Sequence, residues 1–239
     1  MHYATGFISD IHIGSLVTEA SALNRFLAEN TFDKLYLVGD IFDFWKSFHV
    51  SSESKKVVEK LLSLSETIPV IYIPGNHDSW FRDFEKDTIE KIVILKDDIH
   101  TGADGRKWYV THGDQFDSAV IISGSFVSKM GGWVYDFSLL TRSATDSIRT
   151  MFGMKKASFT TNIANLVRNL KKFQTAACAA ALSKECIGVI CGHTHAHGIH
   201  EVEIGDKKAV YVNTGDWVIS CTAAVENLDG TIKVISFKD

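Results

Sequence analysis

Short apolar runs that end in polar clusters alternate with helically spaced segments through roughly the first 115 residues of the chain. Tyr3 to Ser9 reads as a buried strand that ends at Asp10. Thr18 to Asn30 places Leu23, Phe26 and Leu27 at helical spacing, and Lys34 to Val38 is a second strand that ends at Gly39-Asp40. Ser52 to Leu64 puts Val57, Val58, Leu61 and Leu62 on one helical face. Val70 to Ile73 and Trp108 to Thr111 are further strands, followed by Pro74-Gly75-Asn76 and His112-Gly113-Asp114. Strands alternating with helices predict an α/β layered fold with largely parallel early pairing.

From Gln115 to about Glu185 the spacing is helical, with basic residues and no clear strand. Ile187 to Cys191 resumes the strand pattern and ends at Gly192-His193. Ala209 to Val212, Val218 to Val225 and Thr231 to Phe237 complete a β-rich end, and Asp229-Gly230 is a hairpin signal between the last two. The expected organisation is a single α/β domain over residues 1–239 with a helical insertion at approximately 115–185.

Composition narrows this. Of 239 residues only two are proline, and both flank one apolar run, which argues against a proline-rich linker. No apolar run approaches the ~18 residues needed to span a bilayer. Met1 to Thr5 does not begin a signal-peptide pattern, so a cytoplasmic location is expected. The four cysteines show no paired spacing, which fits reduced thiols. The net charge is −4, yet Lys129 to Lys172 holds eight basic and two acidic residues. An acidic body with one basic segment fits an anionic partner, or a solvated helix face. The acidic surroundings argue against nucleic acid.

Ten histidines are the unusual number, and their positions matter. Five strands end in ligand-type residues: Asp10-Ile11-His12, Gly39-Asp40, Gly75-Asn76-His77-Asp78, His112-Gly113-Asp114 and Gly192-His193-Thr194-His195. Any one of these could be ordinary turn chemistry, since Gly, Asn and Asp tolerate tight turns. Five in succession, at the strand ends where open α/β sheets build their sites, point to one centre. Asp10, His12, Asp40, Asn76, His112, His193 and His195 offer oxygen and imidazole nitrogen without thiolate. Seven ligands exceed one tetrahedral ion and fit two metals that share a carboxylate, with manganese, iron or zinc preferred. Such a pair generates hydroxide near neutral pH and stabilises both oxygens of an in-line displacement at phosphorus.

This ordered set, with Gly39-Asp40-x-x-Asp43, resembles the calcineurin-like metallophosphoesterase superfamily over Phe7 to His195. The resemblance implies a sandwich of two mixed β-sheets flanked by helices, with a dimetal site at the strand ends. It implies one metal on Asp10, His12, Asp40 and His195, and the other on Asp40, Asn76, His112 and His193. It further implies that His77 meets the phosphate and stabilises or protonates the departing oxygen, with Asp43 as the first choice to orient it and Asp78 the second.

Gly39 to Trp45, Gly192 to His197 and Val212 to Trp217 are similar to bacterial UDP-2,3-diacylglucosamine diphosphatases and their relatives. That similarity implies release of UMP and 2,3-diacylglucosamine 1-phosphate, with the insertion as a cap over a lipid substrate; the alternative is a soluble nucleotide pyrophosphatase or phosphodiesterase. One departure is His77, where well-known members carry arginine. Ile121, Ile122, Phe126, Trp133 and Phe137 beside the basic surplus fit a cap that touches anionic lipid at the inner face of the cytoplasmic membrane, or side chains that pack the cap onto the body. Lys155, Lys156, Lys171, Lys172 and His197 are candidate substrate contacts.

Overall fold

In the computed structural model the described residues are 1–43, 50–117 and 157–238, the side chains of 157–166 excepted. The elements run β1 (His2–Ile8), α1 (Ala20–Glu29), β2 (Thr31–Leu37), α2 (Ser52–Ser65), β3 (Val70–Tyr72), β4 (Thr88–Ile89), β5 (Ile92–Ile94), β6 (Asp98–Thr101) and β7 (Lys107–Val110). They continue with α3 (Ala157–Ser183), β8 (Gly188–Cys191), β9 (Gly198–Ile204), β10 (Lys207–Asn213), β11 (Thr222–Glu226) and β12 (Ile232–Ser236).

Two mixed sheets result. One has the order β12-β11-β1-β2-β3-β5-β4 and the other β6-β7-β8-β10-β9. The run β1-β2-β3-β5 is parallel, as is β7-β8-β10, and the outer strands are antiparallel. Parallel strands covered on both faces read as continuous apolar runs, and β2 shows why. Leu35 and Leu37 join Leu23, Phe26 and Leu27 of α1 and Val57 and Leu61 of α2. The alternate residues Tyr36 and Val38 join Trp108, Val110, Ile190 and Val212 of the second sheet, so the sheets pack face to face. Ser51 caps α2, its side chain accepting from the Ser54 N–H at 3.0 Å, which satisfies an otherwise orphan donor.

The chain divides into two compact units, one of Met1–Asp114 with Ala177–Asp239 and one of Gln115–Ala176. Within the second, the rings of Phe116 and Phe173 meet edge-on at 5.9 Å. Lys155, Lys156 and the apolar residues between Ile121 and Leu140 lie outside the described residues. No helix among the described residues is long and apolar enough to cross a membrane.

Strands β4, β5, β6 and β9 were not expected from the sequence. The first three are two to four residues long, and β9 is an edge strand whose residues are largely exposed, so no apolar run marks it. The expected strand over Val218 to Val225 begins only at Thr222. The Asp216 carboxylate accepts the N–H groups of Val218, Ile219 and Ser220 and folds that stretch into a turn.

Candidate metal centre

Parallel pairing sends the carboxyl ends of β1, β2 and β3 to one edge, and those of β7, β8 and β10 likewise. The strand-end residues meet there in overlapping groups. Asp10, His12 and His195 each place one ligand atom within 4.8 Å of the others, and so do Asp40, His112 and His193. A third group, His12, Asp43 and His77, adjoins the first. Asn76 joins the second, its Oδ1 lying 3.3 Å from His112 Nε2.

Backbone conformation marks the same residues. Asp10, His12, Asp40, His193 and His195 all have φ between 51° and 65°. Left-handed conformations are uncommon for residues with a Cβ and concentrate where a site needs a side chain aimed against local preference. Close approach explains two glycines. A Cβ on Gly75 would collide with the Asp40 carboxylate and the His112 ring, and one on Gly192 would collide with Asp10 and Ser9.

The carboxylates are buried and mostly committed. Asp10 Oδ2 accepts from the His193 N–H at 3.1 Å and from the Ser9 hydroxyl. Asp10 Oδ1 is fully buried and lacks a hydrogen-bond partner, although His195 Nε2 is 3.1 Å away. A buried carboxylate oxygen and an imidazole nitrogen this close suit a cation held by both. Asp40 Oδ1 accepts from the His77 N–H at 2.8 Å, while its Oδ2 lies 3.4 Å from His112 Nε2. His112 Nδ1 is 2.9 Å from the Val38 carbonyl. A carbonyl only accepts, so Nδ1 carries the proton and Nε2 is left for a ligand bond.

Electrostatics agree with this reading. Burial lowers His12 to about 4, keeping the ring neutral as a metal ligand must be. Burial would lower His112 too, but the Asp40 carboxylate outweighs it and pushes the ring up to about 10. Asp40 is held well below the usual carboxylate range, against burial, by the rings of His112, His12 and His77. The negative potential that raises His112 is the one a divalent cation would meet.

His77 stands at the rim, with 31% of its side chain exposed, and its Nδ1 lies 3.3 Å from Asp43 Oδ1. Burial pulls its pKa down, but Asp43 and Asp40 raise it above the ordinary value. The buried Asp78 carboxylate is committed to backbone N–H groups and to Tyr72: its oxygens accept from the N–H groups of Asp40, Ile41, Phe42 and Gly75 and from the Tyr72 hydroxyl. Asp78 therefore ties the loop after β2 to the loop after β3. Lys171 and His197 are exposed and Lys172 is half-buried. Sequence reasoning passed over Asp216, whose Oδ2 lies 3.7 Å from His195 Nδ1. Its signal was present: Asn213-Thr214-Gly215-Asp216 is a sixth polar cluster directly after a strand.

Comparison with known proteins bears on this centre. A family model described as calcineurin-like phosphoesterase matches residues 4–197. A UDP-2,3-diacylglucosamine hydrolase of Shewanella sp. (strain ANA-3) is 26% identical over 95% of each chain. One of Stenotrophomonas maltophilia (strain K279a) is 27% identical over 89% of this chain and 90% of its own. Among solved structures, the Escherichia coli phosphoesterase Yfce is 15% identical with a TM-score of 0.46, covering 98% of this chain and 99% of its own. With the sheets, the ligand groups and a match over most of its length in agreement, the chain belongs to the calcineurin-like phosphoesterase family, as a metal-dependent hydrolase of phosphoric esters or anhydrides.

Proposed function

We propose that the chain cleaves the phosphoanhydride of UDP-2,3-diacylglucosamine, forming UMP and 2,3-diacylglucosamine 1-phosphate. The observation that carries the hydrolytic part is the pair of ligand groups, Asp10/His12/His195 and Asp40/His112/His193, with the unpartnered Asp10 Oδ1 in the first. The substrate rests on relatives of that name that match the chain nearly end to end.

Asp10, His12, Asp40 and His195 would hold one divalent ion, and Asp40, Asn76, His112 and His193 the other, with Asp40 shared. Manganese is the first choice, and iron or zinc also suits this donor set. Bound there, two such ions neutralise phosphate charge and activate water as the nucleophile. His77, at the rim and with a raised pKa, holds a proton for the departing oxygen. Asp43 accepts from His77 Nδ1 and keeps its Nε2 facing the site. Lys171, Lys172 and the other basic residues of the Lys129–Lys172 segment favour an anionic substrate and contact with anionic lipid at the inner membrane face.

The test is incubation with Mn²⁺ and UDP-2,3-diacylglucosamine beside a panel of nucleotide diesters and dinucleotides. UMP release from the lipid is expected. Turnover of the panel without the lipid would replace this substrate with a soluble nucleotide one.

A further inference from the structure

We infer that Asp216 is the positioning residue of His195, fixing which ring nitrogen is free to ligate. This rests on the reading of His195 as a metal ligand and adds a carboxylate behind it.

Asp216 lies in the loop after β10 and is 2% exposed. Its two oxygens do different things. Oδ1 accepts three backbone N–H groups, from Val218 at 2.9 Å, Ile219 at 2.5 Å and Ser220 at 3.1 Å. Oδ2 accepts the Ser220 hydroxyl at 3.0 Å and lies 3.7 Å from His195 Nδ1. The turn thus pins the carboxylate through one oxygen and leaves acceptor capacity on the other, on the side of the histidine.

The His195 ring stands between two buried carboxylates. Its Nε2 is 3.1 Å from Asp10 Oδ1, the atom without a hydrogen-bond partner, and its Nδ1 faces Asp216. A carboxylate oxygen accepts, so once a cation occupies Nε2 on the Asp10 side, Asp216 is the acceptor that holds the proton on Nδ1. Three N–H groups hold Oδ1 in place, so the inferred hydrogen bond requires the His195 ring to move toward Oδ2 from its present 3.7 Å. A carboxylate behind a ligating histidine is a common way to orient the ring and raise its basicity.

The decisive variant is Asp216→Asn. Its amide oxygen can still take the three N–H groups, so the turn survives. The amide nitrogen then faces His195 Nδ1 as a donor, which favours the tautomer protonated on Nε2 and blocks ligation. Zn²⁺ titration of the chelator-treated protein is expected to show two equivalents in the wild type. In the variant one of them weakens by about 10- to 100-fold while the other is unchanged. Ser220→Ala perturbs the same turn without touching His195 and is expected to bind like the wild type. In a His195→Ala background, Asp216→Asn is expected to change Zn²⁺ affinity no further. A slowly exchanging His195 Nδ1–H proton signal in the Zn²⁺-loaded wild type, lost in Asp216→Asn, reads the hydrogen bond directly.

Wild-type affinity at both equivalents in Asp216→Asn overturns the inference. So does an equal weakening reproduced by Ser220→Ala, which would make Asp216 a turn residue only. Absence of Zn²⁺ binding by the wild type would overturn the metal reading as well, which separates the two failures.

Discussion

Asp43 Oδ1 lies 3.3 Å from His77 Nδ1, and the second Asp43 oxygen lies 3.9 Å from His12 Nδ1. One buried carboxylate therefore spans a histidine at the rim and a histidine among the candidate ligands. Asp43 leaves β2 through the loop that also carries Asp40, and its N–H donates to the Ile13 carbonyl at 2.9 Å. The loops after β1 and β2 are thereby locked together, and the rings are placed by backbone pairing.

If His77 supplies the proton to the departing oxygen, its loss should depend on the leaving group. His77→Ala is expected to lower kcat by about 10²- to 10⁴-fold on substrates with a poorly acidic leaving group. The loss should nearly vanish for a p-nitrophenyl phosphodiester, and metal content should stay at the wild-type level. Asp43→Asn should cost about 10- to 100-fold on the first class of substrate. Steady-state kinetics on both classes, with metal analysis of the purified proteins, checks this.

Asp78 predicts a stability effect. Removing its carboxylate leaves the N–H groups of Asp40, Ile41 and Gly75 buried without an acceptor. At about 1–3 kcal/mol for each unsatisfied group, Asp78→Ala should lose at least about 3 kcal/mol. Tyr72→Phe, which removes one donor and leaves the carboxylate, should lose only about 1 kcal/mol. Urea unfolding midpoints in the presence of chelator separate the two.

Metal removal should also be visible in the melting temperature. A ligand at about 100 times its Kd stabilises the folded state by about 2.7 kcal/mol. For a chain of this length that corresponds to roughly 5–10 °C. Thermal melts with EDTA, and then with Mn²⁺ restored, should show that shift. It should shrink in Asp40→Ala, which removes the residue shared between the two ligand groups.

The pair His100–Glu226 predicts a pH dependence away from the site. His100 Nε2 donates to Glu226 Oε2 at 2.8 Å, and the Ala103 N–H donates to Oε1 at 2.8 Å, joining β6 of one sheet to β11 of the other. Burial alone would raise the Glu226 pKa, but these hydrogen bonds bring it below the ordinary value of 4.5. A depressed carboxylate contributes stability above its unfolded pKa and loses it as pH falls through the folded one. Glu226→Gln should therefore be destabilised by about 1–2 kcal/mol near neutrality. The difference from wild type should narrow once the pH falls below the folded pKa. Chemical denaturation at a neutral and an acidic pH checks the sign.

Much of the fold was legible because burial on both faces writes continuous apolar runs. The strands at Tyr3, Lys34, Val70, Trp108 and Ile187 all appear where those runs predict, and α1 and α2 follow their apolar stripes. Strand β9 was hidden because an edge strand needs no apolar run, and the turn after Trp217 was hidden because a carboxylate overrides the apolar pattern of Val218 and Ile219.

The candidate site divides along the same line. Which residues have ligand chemistry, and that each follows a strand, is written locally in Asp10-Ile11-His12, Gly39-Asp40, Gly75-Asn76-His77-Asp78, His112-Gly113-Asp114 and Gly192-His193-Thr194-His195. Side-chain type and strand ends are local properties, so the sequence alone determined them. Partnership was decided only by the tertiary structure. Asp43 and Asp78 stand equally well near His77 in sequence, but the loop after β2 brings Asp43 to the ring, while five hydrogen bonds occupy Asp78. Asp216 reaches His195 because β8 and β10 pair in parallel and end side by side. Contacts between residues tens of positions apart depend on strand order and register, and those emerge only when the two sheets close on a common core.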